Sequence, residues 1–149
     1  MRVSETYECA SLNPNMQKPI IPVVCAVIVS EGLVLAVQRG AEQLNAGLWE
    51  FPGGKIEGHE SDQEALIREI EEELMVNIRL VMRLNTVSWE YENQTIELRP
   101  YFAEIIYGEI HLQEHASMKW LKAADLGILD WAPADIAVVQ EVKEALKDA

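Results

Sequence analysis

Three glutamates, Glu69, Glu72 and Glu73, fall at i, i+3 and i+4. On a helix their carboxylates would share one face within roughly 6 Å of each other. Such a face is ordinarily plain solvated surface, because exposed like-charge pairs cost only about 0.2–0.5 kcal/mol each. Partial burial changes the balance: at an effective dielectric near 20 each pair would repel by about 3 kcal/mol. A patch of that kind calls for a cation. Clustered carboxylates beside a backbone carbonyl suit a hard one, Mg²⁺, with Mn²⁺ as a substitute.

The neighbouring sequence is built to deliver that face. Gly53-Gly54 follows the apolar run Leu48-Trp49-Glu50-Phe51-Pro52. Adjacent glycines allow positive φ and a close approach of backbone to a ligand. Ser61-Asp62-Gln63-Glu64 reads as a capping box, which predicts a helix starting at about Ser61. Ala65, Leu66, Ile67, Ile70 and Leu74 give it an apolar side at helical spacing, and Glu71 lies off the acidic face.

The order of the whole stretch resembles the Nudix box. Gly54, five residues, Glu60, seven residues, Arg68-Glu69-Ile70, one residue, Glu72-Glu73 and finally Val76 match eight of its nine specified positions. The departure is Met75, where that family has a glycine that ends the helix in the left-handed conformation. Asn77 is expected to take over that task. Every box carboxylate is in place.

Similarity to the same family extends beyond the box. Gly47 to Lys55 resembles the run before the box in MutT-type triphosphatases and in the CTP-pyrophosphohydrolase branch. Gln38-Arg39, Glu114 ahead of Trp120, and Ala132-Pro133-Ala134-Asp135 resemble further segments of that branch, over about residues 21–142. The resemblance implies a Nudix fold and a Mg²⁺-dependent hydrolysis of a nucleoside triphosphate to the monophosphate and pyrophosphate. It implies metal binding by the Gly53 carbonyl and by Glu69, Glu72, Glu73 and Glu114. Glu69 is then the first candidate for general base and Glu114 the second, with Arg68 orienting Glu69 or Glu72. Arg39 and Lys55 would meet phosphate oxygens, and Asp135 would face the base.

Each of these residues also has a plainer reading. Arg39 and Glu114 can be loop charges, and Asp135 can be the N-cap of the last helix, a role compatible with base recognition. An ionised Asp135 only accepts hydrogen bonds, which favours an amino-bearing base over uracil. Trp89, Tyr91 and Trp131 could flank a base, although aromatics at strand spacing more often fill a core. Two substrate types are implied, cytidine triphosphates with modified pyrimidines, and an oxidised purine such as 8-oxo-dGTP. The first is closer to these segments. A non-catalytic nucleotide sensor is the alternative from another class, disfavoured because such domains usually lose box carboxylates.

The remaining chain sets the frame. A length of 149 residues suits one core. Residues 1–18 read as a flexible extension and 19–149 as the domain. No apolar run is long enough to span a bilayer, and the N-terminus lacks a secretory h-region. Cys9 and Cys25 read as free thiols of a cytoplasmic protein. A net charge of −13 argues against duplex nucleic acid and would repel nucleotide phosphates unless divalent cations intervened.

Periodicity predicts strands at Ile20–Val29 and Leu33–Val37, joined by a turn at Ser30-Glu31-Gly32, and a short strand at Leu48–Phe51. After the helix come a long hairpin from Ile78 to Ile106 turning at Glu92-Asn93-Gln94, a strand at Met118–Leu121 and a helical turn at Lys122–Leu126. Pro100 suggests a bulge or an edge position in the hairpin. A final helix over Ala134–Asp148 would point Ile136, Val139, Val142 and Leu146 inward. The sum is an α/β/α arrangement, a mixed sheet between helices.

Overall fold

The computed structural model describes residues 18–147. Its centre is β1 (Ile20–Ser30), whose side chains are buried on both faces from Val24 to Ile28. β2 (Leu33–Gln38) returns antiparallel through a tight turn in which Glu31 and Gly32 both have positive φ, the geometry that suits a two-residue hairpin. β3 (Trp49–Glu50) and β8 (Ser117–Leu121) flank β2, while β4 (Gly53–Lys55) pairs with the first half of β1. On its other side β1 runs parallel to β7 (Thr95–Tyr107), which carries β5 (Asn77–Arg83) and β6 (Val87–Glu90) antiparallel. The sheet is therefore mixed, as expected.

Two cores lie on its two faces. Val24, Ala26, Ile28, Leu35 and Val37 meet Ala65, Leu66, Ile70 and Leu74 of α1 (Asp62–Leu74). Cys25, Val27, Val34 and Ala36 meet Phe51, Trp131 and the residues Val138, Val139 and Val142 of α2 (Ile136–Ala145). Alternation along β1 and β2 sends successive residues to opposite helices, which gives the three layers.

The expected capping box is present. Ser61 Oγ accepts from Glu64 N–H at 3.1 Å and Glu64 Oε1 accepts from Ser61 N–H at 2.9 Å. Other expectations need correction. Gly53-Gly54 is a strand and neither glycine has positive φ. The first arm of the long hairpin breaks into β5 and β6. Pro100 is on neither an edge nor a bulge; it pairs with Cys25 inside the sheet, and its carbonyl accepts from Leu84 N–H at 2.9 Å. A residue's N and C=O point to one side of a strand, so the missing N–H faces the break between β5 and β6. α2 starts later than expected, after two 3₁₀ turns (Ala123–Ile128 and Pro133–Asp135), and Ile136 is its first residue. Ile136 is about half exposed, at 49%, and Val138 is buried. Residues 1–17 of the expected extension, with Cys9, lie outside the described residues. Lys18 is described, and its Nζ donates to Tyr91 O at 2.9 Å.

The helix ends on Met75 itself, at φ 66° and ψ 27°, with its N–H bonded to Glu71 O. Asn77 does not take over; it opens β5. A side chain in the left-handed region costs about 1 kcal/mol or somewhat more, and Met75 is largely exposed, so little burial offsets that cost. Met75→Gly should therefore raise stability by about 1 kcal/mol, or about 2–4 °C in Tm. Met75→Ala, which keeps the strain, should not. An equal gain from alanine in a thermal melt would assign the effect to the side chain instead of φ.

Candidate active site

β4 lies so close to its neighbours that only glycine fits. A Cβ on Gly53 would fall 2.0 Å from Val24 O, and one on Gly54 would fall 2.3 Å from the Glu69 carboxyl carbon. The absence of side chains thus brings the β4 backbone against both β1 and the acidic face of α1.

Arg68 organises that face. Its Nε and Nη2 donate to the two oxygens of Glu60 at 2.6 and 2.9 Å, a two-point ion pair. Nη1 lies 3.1 Å from Glu69 Oε2 and 3.3 Å from Glu72 Oε1, and Nη2 reaches Lys55 O at 3.2 Å. One guanidinium therefore ties three carboxylates to the end of β4. Its hydrogen bonds hold the Glu60 carboxyl down at about 2 and raise the Arg68 guanidinium.

Glu73 meets another carboxyl instead, sharing a side-chain hydrogen bond with Glu69. It is buried, its Oε1 has no partner among the described residues, and burial followed by the Glu69 and Glu50 charges pushes its carboxyl up to about 9. Burial also raises Glu69, against the opposing pull of Arg68. Among the described residues no three His, Cys, Asp or Glu side chains already stand in a metal-gripping group. The donors nonetheless fit a hard cation. They are oxygen atoms, one of them buried and unsatisfied, in a set whose negative charge is unmet.

A cavity of about 600 Å³ opens beside Glu73, within the size range of small-molecule sites. Of the expected site residues its wall gathers Arg39, Gly53, Lys55, Glu73, Glu114 and Asp135. Arg68, Glu69 and Glu72 are not in that wall; they sit behind Gly54 on α1. Arg39 Nη1 donates to Glu50 Oε1 at 2.6 Å. Glu114 is exposed on the loop before β8.

Asp135 occupies the expected N-cap position of α2, but its side chain makes no capping bond. Instead Oδ2 accepts from Phe51 N–H at 2.9 Å, across 84 residues of sequence. Burial raises its carboxyl to about 8, so the neutral, donating form prevails at pH 7, contrary to the accept-only expectation. Of the three aromatics, Tyr91 lines the cavity. Trp131 lies in the core with its ring 4.7 Å from that of Phe51, and Trp89 is outside the wall.

Sequence reasoning missed Glu50 and His115. Both line the cavity, and Glu50 Oε2 lies 2.9 Å from His115 Nε2. The signal was available, since Glu50 is a charge set between Trp49 and Phe51 in a strand run.

The NUDIX domain family matches residues 19–142. The chain is 34% identical over 121 residues to the CTP pyrophosphohydrolase of Escherichia coli strain K12, covering 81% of this chain and 90% of that protein. It is also 34% identical over 125 residues to the putative 8-oxo-dGTP diphosphatase 2 of Mycobacterium tuberculosis, covering 83% and 89%. The crystal structure of the MutT protein from Methanosarcina mazei Go1 superposes with a TM-score of 0.80 at 25% identity, covering 90% of this chain and all of that one. The chain belongs to the NUDIX family and is a MutT-like Nudix hydrolase. No helix among the described residues is long and apolar enough to cross a membrane.

The raised Glu73 carboxyl makes a stability prediction. A carboxyl held at about 9 in the folded state, against 4.5 ordinarily, keeps a proton that the unfolded chain releases between those values. Folded stability should therefore fall as pH rises through that window. In excess chelator at pH 8, Glu73→Gln should be more stable than wild type by about 1–3 kcal/mol, with a flatter pH profile. Urea titrations from pH 5 to 9 would show it; a less stable variant at pH 8 would mean that Glu73 is not electrostatically strained.

Proposed function

We propose that this protein is a Mg²⁺-dependent nucleoside triphosphate pyrophosphohydrolase, releasing a nucleoside monophosphate and pyrophosphate, with CTP, dCTP or a modified pyrimidine triphosphate as substrate. The observation that carries it is the buried, unpartnered Glu73 oxygen between the acidic face of α1 and a nucleotide-sized cavity. The Gly53 carbonyl, Glu69, Glu72, Glu73 and Glu114 would hold the metal, Mg²⁺ or Mn²⁺ in its place. When bound, the cation offsets phosphate charge and acidifies a water for attack on phosphorus.

The chain's own residues do the rest. Glu69, raised by burial and held by Arg68, takes the proton of the attacking water, with Glu114 the second candidate. Glu72 and Arg68 keep that carboxylate in place. Arg39 and Lys55 meet phosphate oxygens at the cavity wall, so the triphosphate is positioned and its charge offset without a covalent nucleophile. Cys25 is buried and its thiol is raised well above its usual value by that burial, which suits packing and not attack. A free thiol and a nucleotide substrate both fit a cytoplasmic location.

Excess chelator should abolish pyrophosphate release, and Mg²⁺ or Mn²⁺ should restore it. Glu69→Gln and Glu73→Gln should each lower kcat at least about a hundredfold, within the 10²–10⁴ range of acid–base contributions. Glu71→Gln, at an exposed position off that face, is the control. Undiminished turnover in chelator, or equal losses at Glu71 and Glu73, would sink the mechanism.

The same identity to a relative named for 8-oxo-dGTP supports a second reading, a sanitising diphosphatase for that oxidised purine. Asp135 gives a test of base choice. Neutral, it both donates and accepts, so it can meet the amino group of cytosine or the carbonyl of uracil; ionised, it only accepts and favours the amino group. The ratio of kcat/KM for CTP over UTP should therefore widen, by up to about tenfold, as pH rises through about 8. Asp135→Asn should flatten that dependence. A wild-type ratio constant from pH 7 to 8.5 would remove Asp135 from base recognition.

A further inference from the structure

His115 is buried, with its side chain 2% exposed, and among the described residues that side chain makes one polar contact. Nε2 faces Glu50 Oε2 at 2.9 Å, while Nδ1 is buried without a partner among the described residues. Glu50 is ion-paired to Arg39 through its other oxygen, so its carboxylate lies between the guanidinium and the imidazole. A buried polar nitrogen without a partner is unfavourable, so an apolar side chain would serve this position better if filling space were the whole task.

What the imidazole does is hold Glu50. A carboxylate fixed at one oxygen can swing about its side-chain torsions; fixed at both, it cannot. The Glu50 Oε1 contact then sets where Arg39 Nη1 lies, at 2.6 Å, while Arg39 Nε is held by Leu44 O at 2.5 Å. His115 also follows Glu114, and Ala116 N–H bonds Gln38 O at 2.9 Å, so its loop is seamed to the end of β2. We propose that His115 is a positioning residue which, through Glu50, locks the Arg39 guanidinium at the cavity wall and ties it to the loop carrying Glu114. The consequence for catalysis rests on Arg39 gripping phosphate, as proposed above.

Two small polar substitutions separate reach from polarity. His115→Gln carries an amide N–H about as far as Nε2, whereas His115→Asn stops near Nδ1 and cannot reach Glu50. The first measurement needs no substrate. The Arg39 Nη1–H NMR signal, which reports the contact with Glu50 Oε1, should be slow to exchange in wild type and His115→Gln and lost in His115→Asn; Arg39→Lys assigns it by its absence. The second uses CTP with Mg²⁺. His115→Asn should raise KM about tenfold, as expected for a lost charge-assisted contact, with kcat within about twofold. His115→Gln should recover most of that, and His115→Asn should add nothing in an Arg39→Ala background. A protected Arg39 signal in His115→Asn, equal losses from both substitutions, or multiplying losses with Arg39→Ala would each overturn the proposal. If wild type hydrolyses no nucleoside triphosphate, the proposed function fails while the NMR comparison still decides the role of His115.

Discussion

Negative charge without a counter-charge is what the rest of this molecule is arranged around. Glu73 sits buried on α1 with an unpartnered oxygen, and the charges that bear on it are the carboxylates Glu69, Glu50 and Glu114. Nearby cations are already engaged, Arg68 with Glu60, Glu69 and Glu72, and Arg39 with Glu50. Stability alone would replace such a residue with an apolar one, because a buried carboxyl without its hydrogen bonds is unfavourable. Keeping it makes physical sense when an oxygen-seeking cation completes the set.

The scaffold fixes that charge in place by removing side chains, not by adding contacts. Gly53 lets β4 lie on β1, and Gly54 lets Glu69 come against the β4 backbone. Arg68 then closes the arrangement from outside, bonding the Lys55 carbonyl and three carboxylates at once. Strand and helix are thereby coupled through a charged contact as well as through the apolar contacts of Leu66, Ile70 and Leu74 beneath it. A methyl group at Gly54 would displace the Glu69 carboxylate without touching the apolar core.

Local patterns carried most of the architecture because they report local physics. The capping box, the positive-φ turn at Glu31-Gly32 and the doubly buried β1 all follow from residue types within a few positions of each other. The failures lie where the cause is distant. Nothing near Asp135 says that its partner is the Phe51 amide rather than its own helix, and nothing near Glu50 says that it meets His115. Pro100 looked like an edge residue because the break in the strands opposite it is not encoded beside it. Met75 misled for another reason: the left-handed cap was readable, but the chain accepts the strain at a non-glycine residue instead of moving the cap to Asn77.

Asp135 shows how a distant partner alters chemistry as well as geometry. Exposed at the start of its helix it would be a solvated, ionised acceptor. In the structure it is enclosed between Phe51 and the cavity, where desolvation outweighs the amide hydrogen bond and the Arg39 charge, and the carboxyl stays protonated to about pH 8. One carboxyl can then present a donor and an acceptor to whatever enters, a less exclusive recognition than a fixed charge would give. Discrimination would then fall to groups that cannot change their hydrogen-bonding sense near neutral pH. Asn93 and Gln94 on the same wall are of that kind, since each offers a fixed amide donor and a fixed carbonyl acceptor.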